Sequence, residues 1–186
     1  MSLRVISGSA KGRKLLSVKG DLTRPITDRV KESLFDIIGA DVVASRWWDM
    51  FAGTGAVGIE ALSRGARQVY FVESSRAAAA LIRKNLGSLG IREGAQVIER
   101  AAEPALRLLD SQAVACDFLF LDPPYRMHDA YAGTLGLLSG SRLLSPSSLV
   151  IAEHDKRFDS GDRFGALQRV RTLRQGDAVL SFYRIQ

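Results

Sequence analysis

Asp49-Met50-Phe51-Ala52-Gly53-Thr54-Gly55-Ala56-Val57-Gly58 decides how this chain folds. The residues leading into it, 45–50, read as a strand, and Gly53, Gly55 and Gly58 have the Gly-x-Gly-x-x-Gly spacing of a turn between a strand and a helix. At that spacing the first glycine allows the tight turn, the second lets backbone approach a ligand, and the third lets the helix lie close on the sheet. The helix is expected over 57–64, stopping near Gly65, and a second strand over 68–72, ending in Glu73.

The alternation continues on both sides. Downstream come a helix at 75–86, capped by Ser74 or Ser75 and stopped by Gly87, a strand at 95–99 and a short helix at 103–109. The apolar run Phe118-Leu119-Phe120-Leu121 is a buried strand, 129–138 a weaker helix, 139–148 a Gly/Ser/Pro-rich loop and 149–153 a fifth strand. Two last strands, 168–173 and 178–185, form an antiparallel hairpin around Gln175-Gly176-Asp177. Upstream, a helix at 27–38 sets Val30, Leu34, Ile37 and Ile38 on one face, with Thr27 as its cap and Pro25 just before it. Short alternating stretches around 4–7 and 14–18 predict a small N-terminal hairpin. The expected architecture is α/β: a seven-stranded, mostly parallel Rossmann-like sheet with helices on both faces and a terminal antiparallel hairpin. It divides into a basic hairpin extension, 1–26, and a main domain, 27–186.

Composition agrees with one core. The chain has 186 residues, of which 46% are hydrophobic, enough to cover both faces of such a sheet. No apolar run approaches a bilayer span and the N-terminus is basic rather than signal-like, so no membrane association is expected. The single Cys116 reads as a buried small hydrophobe, and a reducing, cytoplasmic setting is the default. Met1-Ser2-Leu3 has the look of a remnant ahead of a start near Arg4. Trp47 and Trp48 flank the first strand, one expected in the core and the other over an edge. His128 and His154 lie far apart without metal-ligand spacing, which predicts structural or rim roles and no metal site.

Charge is uneven. Residues 1–31 hold eight of the 26 basic side chains and two of the 20 acidic ones, so this segment alone accounts for the net charge of +6. A concentrated basic arm fits a phosphate-rich partner, against the plainer reading of a solubilising surface.

Two further features bear on chemistry. The strand 118–121 ends in Asp122-Pro123-Pro124-Tyr125. Two prolines fix two φ angles and remove two backbone donors, leaving an acid, carbonyl oxygens and an aromatic face at the sheet edge where α/β proteins bind ligands. Such a group suits the exocyclic amine of a planar base; Asp-Pro-Pro is equally at home in a simple turn. Glu73, at the tip of the second strand, can accept hydrogen bonds from both hydroxyls of a ribose. Asp49, just before the glycine turn, repels a pyrophosphate but can bind an ammonium, unless it merely caps a helix. Taken together, Asp49, the glycine turn, Glu73 and the strand end Asp122-Pro123-Pro124-Tyr125 read as a site for S-adenosyl-L-methionine rather than for NAD.

With these residues in view the chain resembles the RsmD-type small-subunit (16S) rRNA guanine-N2 methyltransferases along nearly its whole length. The resemblance runs through Val5-Ile6-Ser7-Gly8, Lys11-Gly12-Arg13-Lys14-Leu15 and Thr23-Arg24-Pro25-Ile26-Thr27-Asp28-Arg29-Val30-Lys31-Glu32, then Phe51-Ala52-Gly53-Thr54-Gly55 and Glu60-Ala61-Leu62-Ser63-Arg64-Gly65-Ala66. It ends with Asp122 to Tyr125, Glu153-His154 and Gly176-Asp177-Ala178-Val179. It implies a class I methyltransferase fold and S-adenosyl-L-methionine as methyl donor. The donor would be held by Asp49, Phe51, Ala52, Gly53, Thr54, Gly55, Glu73, Ser74, Asp122 and, under a lid at its methionine end, Arg24 and Thr27. Thr27 and Asp28 serve equally as helix-start residues. Family members often carry a polar residue followed by Ala after the third strand; here Ala102 stands at the polar position, leaving the adenine amine to Glu103 or to backbone. Asp122, Pro123, Pro124 and Tyr125 would be catalytic, gripping and stacking on the extruded guanine. Arg4, Lys11, Arg13, Lys14, Arg29 and Lys31 would face small-subunit rRNA, within an assembling ribosomal particle. A DNA or RNA adenine-N6 methyltransferase shares both motifs, an NAD-dependent oxidoreductase explains the glycines and Glu73 alone, and a non-catalytic RNA-binding module explains only the arm.

Overall fold

The computed structural model describes residues 3–17, 26–124 and 126–186. Its helices are α1 Asp28–Ile38, α2 Ala56–Ser63, α3 Arg76–Ser88, α4 Ala102–Ser111 and α5 His128–Ser139. Its strands are β1 Arg46–Met50, β2 Gln68–Val72, β3 Ala95–Ile98, β4 Cys116–Leu121, β5 Leu144–Asp155, β6 Arg163–Phe164, β7 Leu167–Gln175 and β8 Ala178–Ile185. They form one sheet in the order β3-β2-β1-β4-β5-β8-β7-β6. β1 to β5 run parallel, and β8, β7 and β6 pair antiparallel at one side. The chain leaves β1 for β2 on one side and reaches β4 on the other, so a crevice opens at the carboxyl ends of β1 and β4.

The expected seven strands are present, with the two-residue β6 added at the edge beyond the hairpin. Three local expectations change. α3 runs through Gly87 to Ser88, because one helical glycine costs only about 1 kcal/mol and the stop comes at Leu89 and the left-handed Gly90. β5 begins at Leu144 inside the stretch expected to be loop, since Leu144 pairs with Cys116 before a register shift. Trp47 and Trp48 are both 0% exposed. Adjacent strand residues point to opposite faces, and here each face is covered: Trp47 packs against Phe35 and Phe118 in one core layer, Trp48 against Tyr70 in the other.

The first layer joins α1, α2 and α3 to the sheet; the second joins α4 and α5 to its other face. Gly58 shows why α2 sits so close: a β-carbon there would stand 2.4 Å from Phe71 Cε1 and 2.8 Å from Val69 Cγ1. The N-terminal segment meets itself at one antiparallel bridge, Arg4 with Lys14, flanked by Val5 N–H to the Arg13 carbonyl and Leu15 N–H to the Leu3 carbonyl, both 2.9 Å. Val5 and Leu15 are buried in the first core layer. Gly8 passes over α2 so tightly that a β-carbon would lie 1.8 Å from the Ser63 carbonyl oxygen.

Candidate active site

Strand alternation and register bring four acids to one edge. Met50 pairs with Val72 on one side and Leu121 on the other, so the ends of β1, β2 and β4 are level, and Asp49, Glu73 and Asp122 gather there. Leu121 pairs with Ala152, so Glu153 of β5 stands level with Asp122. Glu153 is buried, and the Tyr131 hydroxyl donates to its backbone carbonyl at 2.6 Å. The sequence reading did not place Glu153 in the site, although 149–152 is an apolar run closed by an acid, like the other three.

Asp49 points to the α2 face and is almost wholly buried; its Oδ2 accepts the Gly58 N–H at 2.9 Å, inside the first turn of α2. Since Gly55 precedes α2 and has no side chain to cap it, the carboxylate of Asp49 supplies that cap from the strand. Burial pushes its pKa well above the usual carboxylate range, the Gly58 N–H opposes this, and the charges of Asp122 and Glu73 push it further up. Asp122 is half-buried, and burial raises its pKa to about 7. Carboxylates that resist ionising together accept a cation readily, because its charge lowers both pKa values.

The turn is held from two sides. Glu73 Oε2 accepts the Gly53 N–H at 2.8 Å and its Oε1 the Ser75 N–H at 2.7 Å. The Thr54 carbonyl accepts from Asn85 Nδ2 at 3.0 Å. Ala52 donates to the Val72 carbonyl, and Gly55 to Ala52. Gly53 and Gly55 have φ of 54° and 77°, and Phe51 takes φ of 60° without being glycine. That left-handed geometry costs Phe51 about 1–3 kcal/mol, a local strain of the kind found where ligands bind. A β-carbon on Gly55 would also be tight against Ile82 at 3.2 Å and Phe71 at 3.3 Å.

The remaining candidates divide. Ser74 is exposed; the cap of α3 is Ser75, whose side chain accepts the Ala78 N–H. Thr27 caps α1 through its bond from the Val30 N–H, as a helix-start residue does, while Asp28 in the first turn pairs with Arg4 of the arm at 2.9 Å. Ala102 is buried at the start of α4, while Glu103 turns toward α5, its Oε1 2.6 Å from where a β-carbon on Gly133 would stand. Pro123 is buried and Pro124 exposed, with the Pro124 carbonyl accepting the Met127 N–H at 2.7 Å in the turn into α5. Arg24 and Tyr125 lie outside the described residues. His128 stacks on Phe158 at 4.2 Å beside this turn, and His154 is buried between the Asp155 carbonyl and Ser181 Oγ, its pKa lowered by burial.

Of the basic candidates, Arg4, Lys11, Arg13, Lys14 and Arg29 are exposed. Lys31 is not a surface cation: it is 0% exposed, its ammonium donates to the Arg4 carbonyl at 2.5 Å, and it faces Glu60 and Asp28, each at 3.8 Å. Burial lowers its pKa while Glu60 and Asp28 raise it. Glu60, also 0% exposed, accepts the N–H groups of Ile6 at 2.8 Å and Ser7 at 2.9 Å and pairs with Arg64 at 2.8 Å. Lys31 therefore fastens the arm to α1 and α2 instead of meeting solvent.

The chain is similar to known proteins along nearly its whole length. Residues 3–184 match the family model described as Conserved hypothetical protein 95. The chain is 37% identical over 155 residues to the Ribosomal RNA small subunit methyltransferase D of Haemophilus influenzae, covering 83% of this chain and 79% of that one. The chain belongs to the RsmD family of small-subunit rRNA methyltransferases. Another relative, YlbH of Bacillus subtilis, is 38% identical over 182 residues, 98% of each chain. The solved structure of yhhF from Escherichia coli superposes with a TM-score of 0.85 at 28% identity, covering 100% of this chain and 99% of that one. The fold is thus that of the S-adenosylmethionine-dependent methyltransferases, down to the terminal antiparallel hairpin.

Proposed function

We infer that this chain uses S-adenosyl-L-methionine to methylate the exocyclic N2 of a guanosine in small-subunit rRNA. The observation that carries the reading is the convergence of Asp49, Glu73 and Asp122 on a glycine turn, with the carboxyls of Asp49 and Asp122 raised by burial. That environment favours a cationic, phosphate-free ligand over a dinucleotide. When bound, the donor supplies an electrophilic methyl on a positively charged sulfur.

The chain's own residues would then divide the work. Glu73, already bonded to Gly53, keeps lone pairs for the ribose hydroxyls. The backbone of residues 51–55 lines the methionine end, and Asp49 adds negative charge beneath it. The adenine amine falls to backbone near Ala102, since Glu103 leans on α5. At the acceptor, Asp122 and the Pro123 carbonyl accept the two amino hydrogens of guanine, turning the nitrogen lone pair out of conjugation with the ring and toward the methyl. Tyr125 stacks on the extruded base. Asp122, with its pKa near 7, can take the proton released after transfer.

The extension, 1–26, grips rRNA through Arg4, Lys11, Arg13 and Lys14, joined by Arg29, while 27–186 carries the chemistry; the substrate is rRNA in an assembling ribosomal particle. The test is transfer of a labelled methyl from the donor to small-subunit rRNA, free and in partly assembled particles, followed by base mapping. N2-methylguanosine at one position is expected; N6-methyladenosine, or no label in either substrate, overturns the reading.

A further inference from the structure

Asn85 sits in the last turn of α3, 0% exposed, with its amide oxygen and both amide hydrogens in use. Its Oδ1 accepts the Leu16 N–H at 2.8 Å, and its Nδ2 donates to the Leu16 carbonyl at 3.2 Å and to the Thr54 carbonyl at 3.0 Å. One side chain therefore grips the basic arm at Leu16 and the glycine turn at Thr54. The requirement is specific to an amide. Aspartate would face two carbonyl oxygens with an acceptor, and a flipped amide would aim its NH2 at the Leu16 N–H.

Two neighbouring contacts make α3 a stiff bridge. In the same last turn the Ser88 carbonyl accepts from Arg13 Nη2 at 2.7 Å, so an arm cation is fastened to the same helix. At the turn, Ile82 lies beside Gly55: its Cγ2 would be 3.2 Å from a β-carbon placed there. Leu15 anchors the arm in the core, while Leu16, 52% exposed, is held to α3 through its backbone by Asn85.

We propose that Asn85 is a positioning residue that couples RNA engagement by the arm to donor binding at the glycine turn. This rests on the reading of the arm and turn given above. The link is already formed, so a ligand that shifts it from the arm alters the turn, and one that shifts it from the turn alters the arm. Coupling of this kind is reciprocal: the donor product tightens RNA binding by the same factor by which RNA tightens the donor product.

The experiment measures affinity of the full chain for S-adenosylhomocysteine with and without a small-subunit rRNA transcript or partly assembled subunit, and for that RNA with and without S-adenosylhomocysteine. The parent is expected to show one shared factor of about fivefold or more in both directions. Asn85→Ala is expected to bind each ligand alone, more weakly, with the factor reduced to one. Should Asn85→Ala not fold, Leu16→Pro removes the N–H that Asn85 accepts, leaves α3 untouched, and is expected to lose the factor likewise. A purely structural role would lower both affinities and leave the factor intact. Binding of both ligands by the parent without a mutual factor, or the parent's factor in the variants, contradicts the coupling alone. Failure of the parent to bind S-adenosylhomocysteine, or to bind RNA, sinks the functional reading and the coupling with it.

Discussion

Glu73 accepts the Gly53 N–H at 2.8 Å with one carboxylate oxygen while the other accepts the Ser75 N–H at 2.7 Å, so the acid at the tip of β2 shapes the turn after β1. Glu73→Gln keeps size and loses this arrangement, since an amide nitrogen must face one of two backbone donors. The Gly53 N–H is part-buried and the Ser75 N–H exposed, so the lost bond is worth about 0.5–1.5 kcal/mol, and affinity for S-adenosylhomocysteine is expected to fall about two- to tenfold by calorimetry. Unchanged affinity would mean the turn does not depend on Glu73.

With Asp122 as the proposed base, the reaction is expected to have a pH profile. The Asp122 carboxyl, raised to about 7 by burial, is largely protonated below that pH and able to take up the proton of the amine only when ionised. The rate under kcat/KM conditions is therefore expected to rise about tenfold per pH unit below 7 and level off above it. A profile flat from pH 5 to 8 contradicts the role given to this carboxylate.

Glu60 holds the arm down. It is buried, accepts two arm N–H groups and faces the buried ammonium of Lys31. Removing one member of a buried charge pair costs about 3–5 kcal/mol, so Glu60→Ala is expected to lose that much stability in urea denaturation. Lys31→Met together with Glu60→Ala is expected to recover part of it, because no buried charge is then left alone. A Glu60→Ala loss below about 1 kcal/mol would show that the pair does not organise the arm.

Charge reversal of Lys11, Arg13 and Lys14, all exposed, is expected to weaken binding to small-subunit rRNA and to reduce the slope of log affinity against log salt by about two to three. Equal slopes for variant and parent would remove the arm from the RNA interface.

What the sequence could reveal followed the range of the forces involved. The glycine turn, Glu73 and the strand before Asp122 were legible because backbone geometry and strand ends are local properties. Burial of both tryptophans was implicit in alternation along a strand covered on two faces, and was missed only by treating one face as an edge. Lys31 was not legible as a buried cation: its solvation is replaced by Glu60, 29 positions away, and by the Arg4 carbonyl, and basic residues in a basic segment carry no mark of which one turns inward. The helix-cap alternative for Asp49 describes the bond it makes to Gly58 N–H. Asn85 gave no signal, because a polar residue in an amphipathic helix reads as solvent-facing until the arm that covers it is in place.

The central claim is that Asp122 holds the acceptor amine beside the donor site. Asp122→Ala tests it most directly, with methyl transfer and S-adenosylhomocysteine binding measured on the same preparation. The account predicts turnover reduced by at least about a hundredfold with donor-product affinity kept within a few-fold. Turnover near that of the parent, or loss of binding in step with turnover, would contradict it.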